Sequence, residues 1–332
     1  MAIIFSVLPV VLFIVFLFFM ESFKIIKISS ILFCLLWGLV AAGFSFDINN
    51  FFIGLLNIPA ASYSHFVAPI VEEVLKILLI AILIQLRKVG FIVDGAIMGF
   101  ASGAGFSIME NIYYFQMLEN PDPLVWVMRG LGAAVMHGGA TSIVAIFVMN
   151  AYNSEKKNYL KAYLPGLLIA VIIHSLYNQF IIQPYLTTML TFILIPSIII
   201  LIFTKNQSDL QKWMDDEFDT ETNLLTSINK GEFSKTRGGM FIVSMKSQFP
   251  PEVFFDMLVY TKLYLELSVK AKGVMFLQEN DLPVEKDPTI KTKLDEMKEL
   301  EKNIGKTGLL ALTPILRMSK KDIWKLKMLE KV

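Results

Sequence analysis

The sequence predicts an all-α, polytopic helical membrane protein with a helical C-terminal tail. Three observations support this. Long apolar windows recur through the first two-thirds of the chain, short polar links separate them, and near residue 204 the pattern changes to a charged, helix-periodic segment. The 332 residues are 55% hydrophobic, with a mean hydropathy of +0.59, more apolar than a soluble domain ordinarily is. Most of the Lys, Arg, Asp and Glu follow residue 203, so a membrane domain, 1–203, and a soluble tail, 204–332, are expected. A net charge of +1, with no block of one sign, argues against a nucleic-acid surface. The single cysteine, Cys34, rules out an intrachain disulfide and a Cys-based metal cluster; it is expected to pack or face lipid.

Windows of about 20 residues, enough to cross the hydrocarbon core, lie near 2–20, 28–46, 66–86, 91–117, 124–150, 163–182 and 185–203. They predict about seven spans. The first has neither a basic leader nor a small-residue cleavage site before Glu21, so it reads as a retained anchor. Lys24, Lys27, Arg87, Lys88, Lys156, Lys157, Lys161 and the tail then fall on one side. Asp47, Glu119, Asp122 and the Gln183-Pro184 turn fall on the other. The positive-inside rule makes this a multi-pass cell-membrane protein with its N-terminus outside and its tail cytoplasmic. Gly95, Gly99 and Gly103 form a small-residue stripe suited to close helix packing.

Tail helices are predicted over 211–230, 250–277 and 291–302, bounded by Gly231, Gly238-Gly239, Pro283 and Gly305. The second carries Phe254, Phe255, Tyr260 and Tyr264. It must bury them against other tail helices, the membrane surface or a protein partner.

A charge in the hydrocarbon costs at least ~2.5–3.5 kcal/mol, so each one inside a span suggests function. The third span carries Glu72, Glu73 and Lys76, the fourth Asp94, Glu110 and Asn111, the fifth Arg129 and His137, and the sixth His174 and Asn178. A rise of ~1.5 Å per residue sets Glu72, Glu73, Glu110 and His174 roughly 5–12 Å below the outer surface, with His137 nearer the midplane. Glu72/Lys76, Phe106/Glu110, His137/Thr141 and His174/Asn178 are i,i+4 pairs, each on one helical face. Glutamate or histidine can take a proton from water, histidine can protonate a leaving amine, and histidine with asparagine can donate to an oxyanion. Blander readings stand beside these. Glu73–Lys76 reads equally as a structural buried pair, His137 as a packing histidine and Asn178 as an interhelical hydrogen bond. Asp94 is expected to pair with Arg87 or Lys88, Arg129 to snorkel outward, and Tyr63 and His65 to occupy a surface loop.

Four stretches, in order on separate predicted spans, resemble the PrsW family of intramembrane proteases, related to the CAAX prenyl-endopeptidases. They are Glu72-Glu73-x-x-Lys76; Asp94-Gly95-x-x-x-Gly99 through Gly103-x-Gly105-Phe106-x-x-x-Glu110-Asn111-x-x-Tyr114; Arg129 to His137; and His174-x-x-x-Asn178. The resemblance covers roughly 66–182. It implies an extracytoplasmic cut in a membrane-spanning regulator such as an anti-sigma factor. Glu72, Glu73 and Glu110 would handle water and proton, His137 and His174 would be catalytic or ligating, and Asn178 would serve the oxyanion. Lys76, Asp94, Phe106, Asn111 and Arg129 would support the site. Glutamate-dependent chemistry without a cofactor is favoured, since no His-Glu-x-x-His helix is present. Zinc on His137, His174 and Glu72 or Glu110 is the alternative. Two other function classes use similar residues: a proton- or ion-coupled transporter, which would show paired broken helices, and a catalytically inactive membrane scaffold. The tail lies outside the resemblance and is expected to be dispensable for chemistry.

Overall fold

The computed structural model describes residues 2–19, 26–86, 88–117, 123–153, 159–316, 325–326 and 328–330. The sidedness expectations for Glu21, Lys24, Arg87, Glu119, Asp122, Lys156 and Lys157 lie outside the described residues. Among the described residues there are twelve α-helices and no strand, and they fall into two compact units that part between Asn206 and Gln207.

The first unit contains α1 (Ala2–Phe19), α2 (Ile28–Leu56), α3 (Ala60–Phe66), α4 (Ala68–Gln85), α5 (Ile92–Met117), α6 (Pro123–Val127), α7 (Ala134–Asn153), α8 (Tyr163–Gln179) and the beginning of α9 (Pro184–Asn229). A π-helical turn, Met128–Ala133, joins α6 to α7. Four stretches are long and apolar enough to cross a membrane by length and composition: Ile28–Leu56, Ile92–Met117, Leu124–Tyr152 and Pro184–Lys205. The other three expected spans are the shorter helices α1, α4 and α8. The chain is thus an all-α membrane protein.

At the centre α5 packs along α7, with Ala96, Ile97, Phe100, Ala101 and Ala104 interleaving with Ala140, Val144, Ala145 and Val148. Glycine makes the approach close. A Cβ at Gly103 would collide with the carbonyl of His137, and one at Gly105 with the carbonyl of Leu35 on α2. Cys34 is fully buried in this core, which settles its role as packing. Leu32, Phe33, Leu36, Val40 and Phe44 of α2, and Met189, Ile193, Leu194 and Leu201 of α9, stay exposed. Apolar stripes of that length suit lipid rather than water.

Three element boundaries differ from expectation. Helix α2 continues to Leu56, ending at Asn57 with φ 50°, so Asp47 is helical and not in a loop; no proline stands in 47–56, and Gly54 costs only about 1 kcal/mol. The third expected span is broken at Val67, with Pro69 in the first turn of α4, where its missing N–H costs nothing. The fifth is interrupted by the π-helical turn that carries Arg129.

The tail unit holds the end of α9, α10 (Arg237–Ser244), α11 (Pro251–Glu279) and α12 (Thr289–Leu316). Gly231 does end α9, with φ 70°. Gly238 and Gly239 do not end a helix: they form the first turn of α10, where Thr236 Oγ1 accepts from the Gly239 amide at 3.0 Å. Gly305, at φ 67°, is non-helical and separates two helices within α12, so it does bound the segment before it. α11 buries Phe254, Tyr260 and Tyr264, and Tyr260 donates to Glu301 of α12 at 3.1 Å, whereas Phe255 remains 64% exposed.

Candidate active site

Helices α4, α5, α7 and α8 each deliver ionisable side chains to one cluster. On α4, Glu72 and Glu73 are adjacent and Lys76 sits one turn on, paired with Glu73 Oε1; both members of that pair are 0% exposed. From α8, His174 donates Nδ1–H to the same Glu73 oxygen at 2.9 Å, and its Nε2 lies 3.6 Å from Glu72 Oε2. From α7, His137 takes the Lys76 ammonium on Nδ1 at 2.9 Å. An ammonium only donates, so the ring proton of neutral His137 sits on Nε2 and is given to Glu110 Oε2 of α5 at 3.2 Å. The two imidazoles meet edge to face with centroids 4.6 Å apart. Phe106 packs on His137, and Lys76 Nζ lies 4.9 Å from the Phe106 ring centroid.

Access is one-sided. Glu73, Lys76, His137 and His174 are sealed, while Glu72 is 13% and Glu110 27% exposed at the side chain. On that open side Arg129 reaches Glu110 at 3.1 Å, donates Nε–H to Asn111 Oδ1 at 3.0 Å and stacks on Tyr114. Arg129 therefore turns into the site rather than snorkelling outward: two acceptors and an aromatic face satisfy the guanidinium at once.

Not every expected residue joins. Asp94, sixteen residues before Glu110 on α5 and so roughly 24 Å away along the helix, accepts from the Gly90 and Phe91 amides at 3.2 and 3.1 Å and caps its own helix. Asn178 donates to the Ser64 carbonyl at 3.1 Å, tying α8 to α3, and not to the cluster. Ser175 reinforces that tie through the His65 carbonyl. Tyr63 is 1% exposed, which overturns its placement in a surface loop; its hydroxyl donates to Asn49 Oδ1 at 2.9 Å, and Asn49 Nδ2 donates to Glu72 Oε1 at 3.3 Å. Asn49 escaped the sequence reading because it follows the expected end of the second span.

Although expected nearer the midplane, His137 comes within metal-sharing distance of Glu72. Donor atoms of Glu72, His137 and His174 all lie within 4.8 Å of one another. Glu72 Oε2 is buried without a hydrogen-bond partner, and His174 has the carboxylate support on Nδ1 that metal-bound histidines usually have. These two residues suit a divalent cation. His137 does not, since Lys76 occupies one ring nitrogen and the proton shared with Glu110 occupies the other. The cluster passes on spacing and fails on protonation at its third donor.

Carboxylates and imidazoles gathered inside the helical core of an all-α membrane protein can carry intramembrane hydrolysis. The comparison with families makes this definite: the PrsW family of intramembrane metalloproteases matches residues 27–203, more than half of the chain. The chain belongs to that family and is an intramembrane peptidase. No match was found among curated proteins or among solved structures.

Proposed function

We propose that this chain hydrolyses a peptide bond of a membrane-spanning protein near the extracytoplasmic face of the bilayer, with a carboxylate activating the water. One observation carries the reading: Glu72, Glu73, Glu110, His137 and His174, from four helices, share one cluster with Glu72 and Glu110 on its accessible side. Glu72 Oε2 is buried and has no hydrogen bond to give up, so it takes the proton of a water admitted beside it from the open side. The hydroxide adds to the scissile carbonyl. His174 Nε2, 3.6 Å from that oxygen, receives the proton and delivers it to the departing amine as the C–N bond breaks. Glu73 fixes the His174 tautomer through Nδ1 and stabilises the imidazolium while it lasts; Lys76 offsets the carboxylate in turn. Arg129 holds Glu110 beside the water site. Asn178 would reach an oxyanion only after releasing Ser64. A zinc ion, were His137 to release its partners, would supply a Lewis acid and a more acidic water at the same place; no step above depends on it.

The substrate class is a single-pass regulator such as an anti-sigma factor, presented from the outer side. The N-terminus is outside and the tail cytoplasmic, by the charge distribution of the links. The test is cleavage of a single-pass reporter in proteoliposomes. Glu72→Gln keeps size but accepts no proton, Glu73→Gln keeps size but gives the His174 imidazolium no countercharge, and each is expected to lower turnover by about 100-fold or more. Near-normal turnover in both would remove the carboxylate mechanism.

A further inference from the structure

We infer that Asn49 and Tyr63 are positioning residues that leave Oε2 of Glu72 as its working oxygen. The inference rests on Glu72 being the base described above. Its physical content is a two-step assignment of hydrogens. A carboxylate only accepts, so the edge of the Asn49 amide that meets Glu72 Oε1 must be Nδ2, at 3.3 Å. The opposite edge is then Oδ1, and it takes the phenolic proton of Tyr63 at 2.9 Å. Tyr63 cannot turn away to water, being 1% exposed. It rides on α3, which Ser175 and Asn178 of α8 bind through the carbonyls of His65 and Ser64.

The result is an asymmetric carboxylate. Oε1 is occupied by a fixed donor, and Oε2 stays without one beside His174 Nε2. Without Tyr63, the Asn49 amide could flip and present an acceptor to Glu72, and the carboxylate would turn away. The extension of α2 past residue 46 is what brings Asn49 to this height, so the device depends on the part of that helix that lies beyond the expected span.

The test measures kcat and KM for the single-pass reporter in proteoliposomes, using full-length Tyr63→Phe, Asn49→Leu, the double variant and Glu72→Gln, with the melting midpoint of each. Tyr63→Phe keeps the ring and Asn49→Leu the volume. Loss of one hydrogen bond to a charged group predicts a fall in kcat of about tenfold for Asn49→Leu, and of similar size for Tyr63→Phe, with KM and melting midpoint little changed. Because Tyr63 acts through Asn49, the double variant should match Asn49→Leu alone. Unchanged kcat in both single variants overturns the inference, as does a loss confined to KM, a loss that follows the melting midpoint, or effects that multiply in the double variant. Glu72→Gln separates the two levels. If it still cuts normally, the base assignment falls; if it is inactive while Asn49→Leu is normal, only the positioning role falls.

Discussion

Replacing Lys76 by methionine probes how the cluster is held together. Lys76 and Glu73 are both 0% exposed, so water screens neither, and Lys76→Met leaves a buried carboxylate whose remaining partners are the His174 N–H at 2.9 Å and the Thr141 hydroxyl at 3.5 Å. Breaking a buried pair from one side costs about 3–5 kcal/mol, chiefly through the uncompensated charge. The surviving histidine bond argues for the lower end, about 3 kcal/mol. Removing both charges in Lys76→Met/Glu73→Gln should recover most of this and bring stability within about 1 kcal/mol of the unaltered protein, because no lone ion is left inside. The assay is reversible unfolding in mixed detergent micelles for the two single variants and the double. A Lys76→Met cost below about 1 kcal/mol, or a double variant as unstable as the worse single, would refute the claim that this pair is electrostatically interdependent.

Two further outcomes follow from the packing and the donor set. Gly103→Leu would drive α5 away from the His137 carbonyl, so both activity and about 1–3 kcal/mol of stability should be lost; Gly54→Ala, with nothing within 4 Å of the added carbon, should leave cleavage unchanged and raise stability by up to about 1 kcal/mol in the same assays. Chelation of purified protein should leave reporter cleavage intact, since Lys76 and Glu110 occupy both nitrogens of His137; stoichiometric metal together with complete, reversible inhibition would refute the carboxylate-only route.

The sequence by itself determined the class of molecule and the residue types of its centre. Windows of apolar residues have one solution in lipid, helices that satisfy their own backbone, and charges placed inside such windows at energetic cost marked Glu72, Glu73, Glu110, His137 and His174 directly. Periodicity also showed which neighbours share a helical face. It does not show how far a helix continues where no strong breaker stands, so the helical state of Asp47 and Asn49 at the end of α2 is legible only in the structure. Which oxygen meets which nitrogen was also out of reach. The tautomer of His137, the inward turn of Arg129, the burial of Tyr63 and the capping role of Asp94 are set by contacts between residues far apart in the chain. Only the tertiary structure decided them, because helical depth fixes one coordinate of a side chain, whereas hydrogen bonds and proton positions depend on the rotation and separation of helices that glycines such as Gly103 allow to touch.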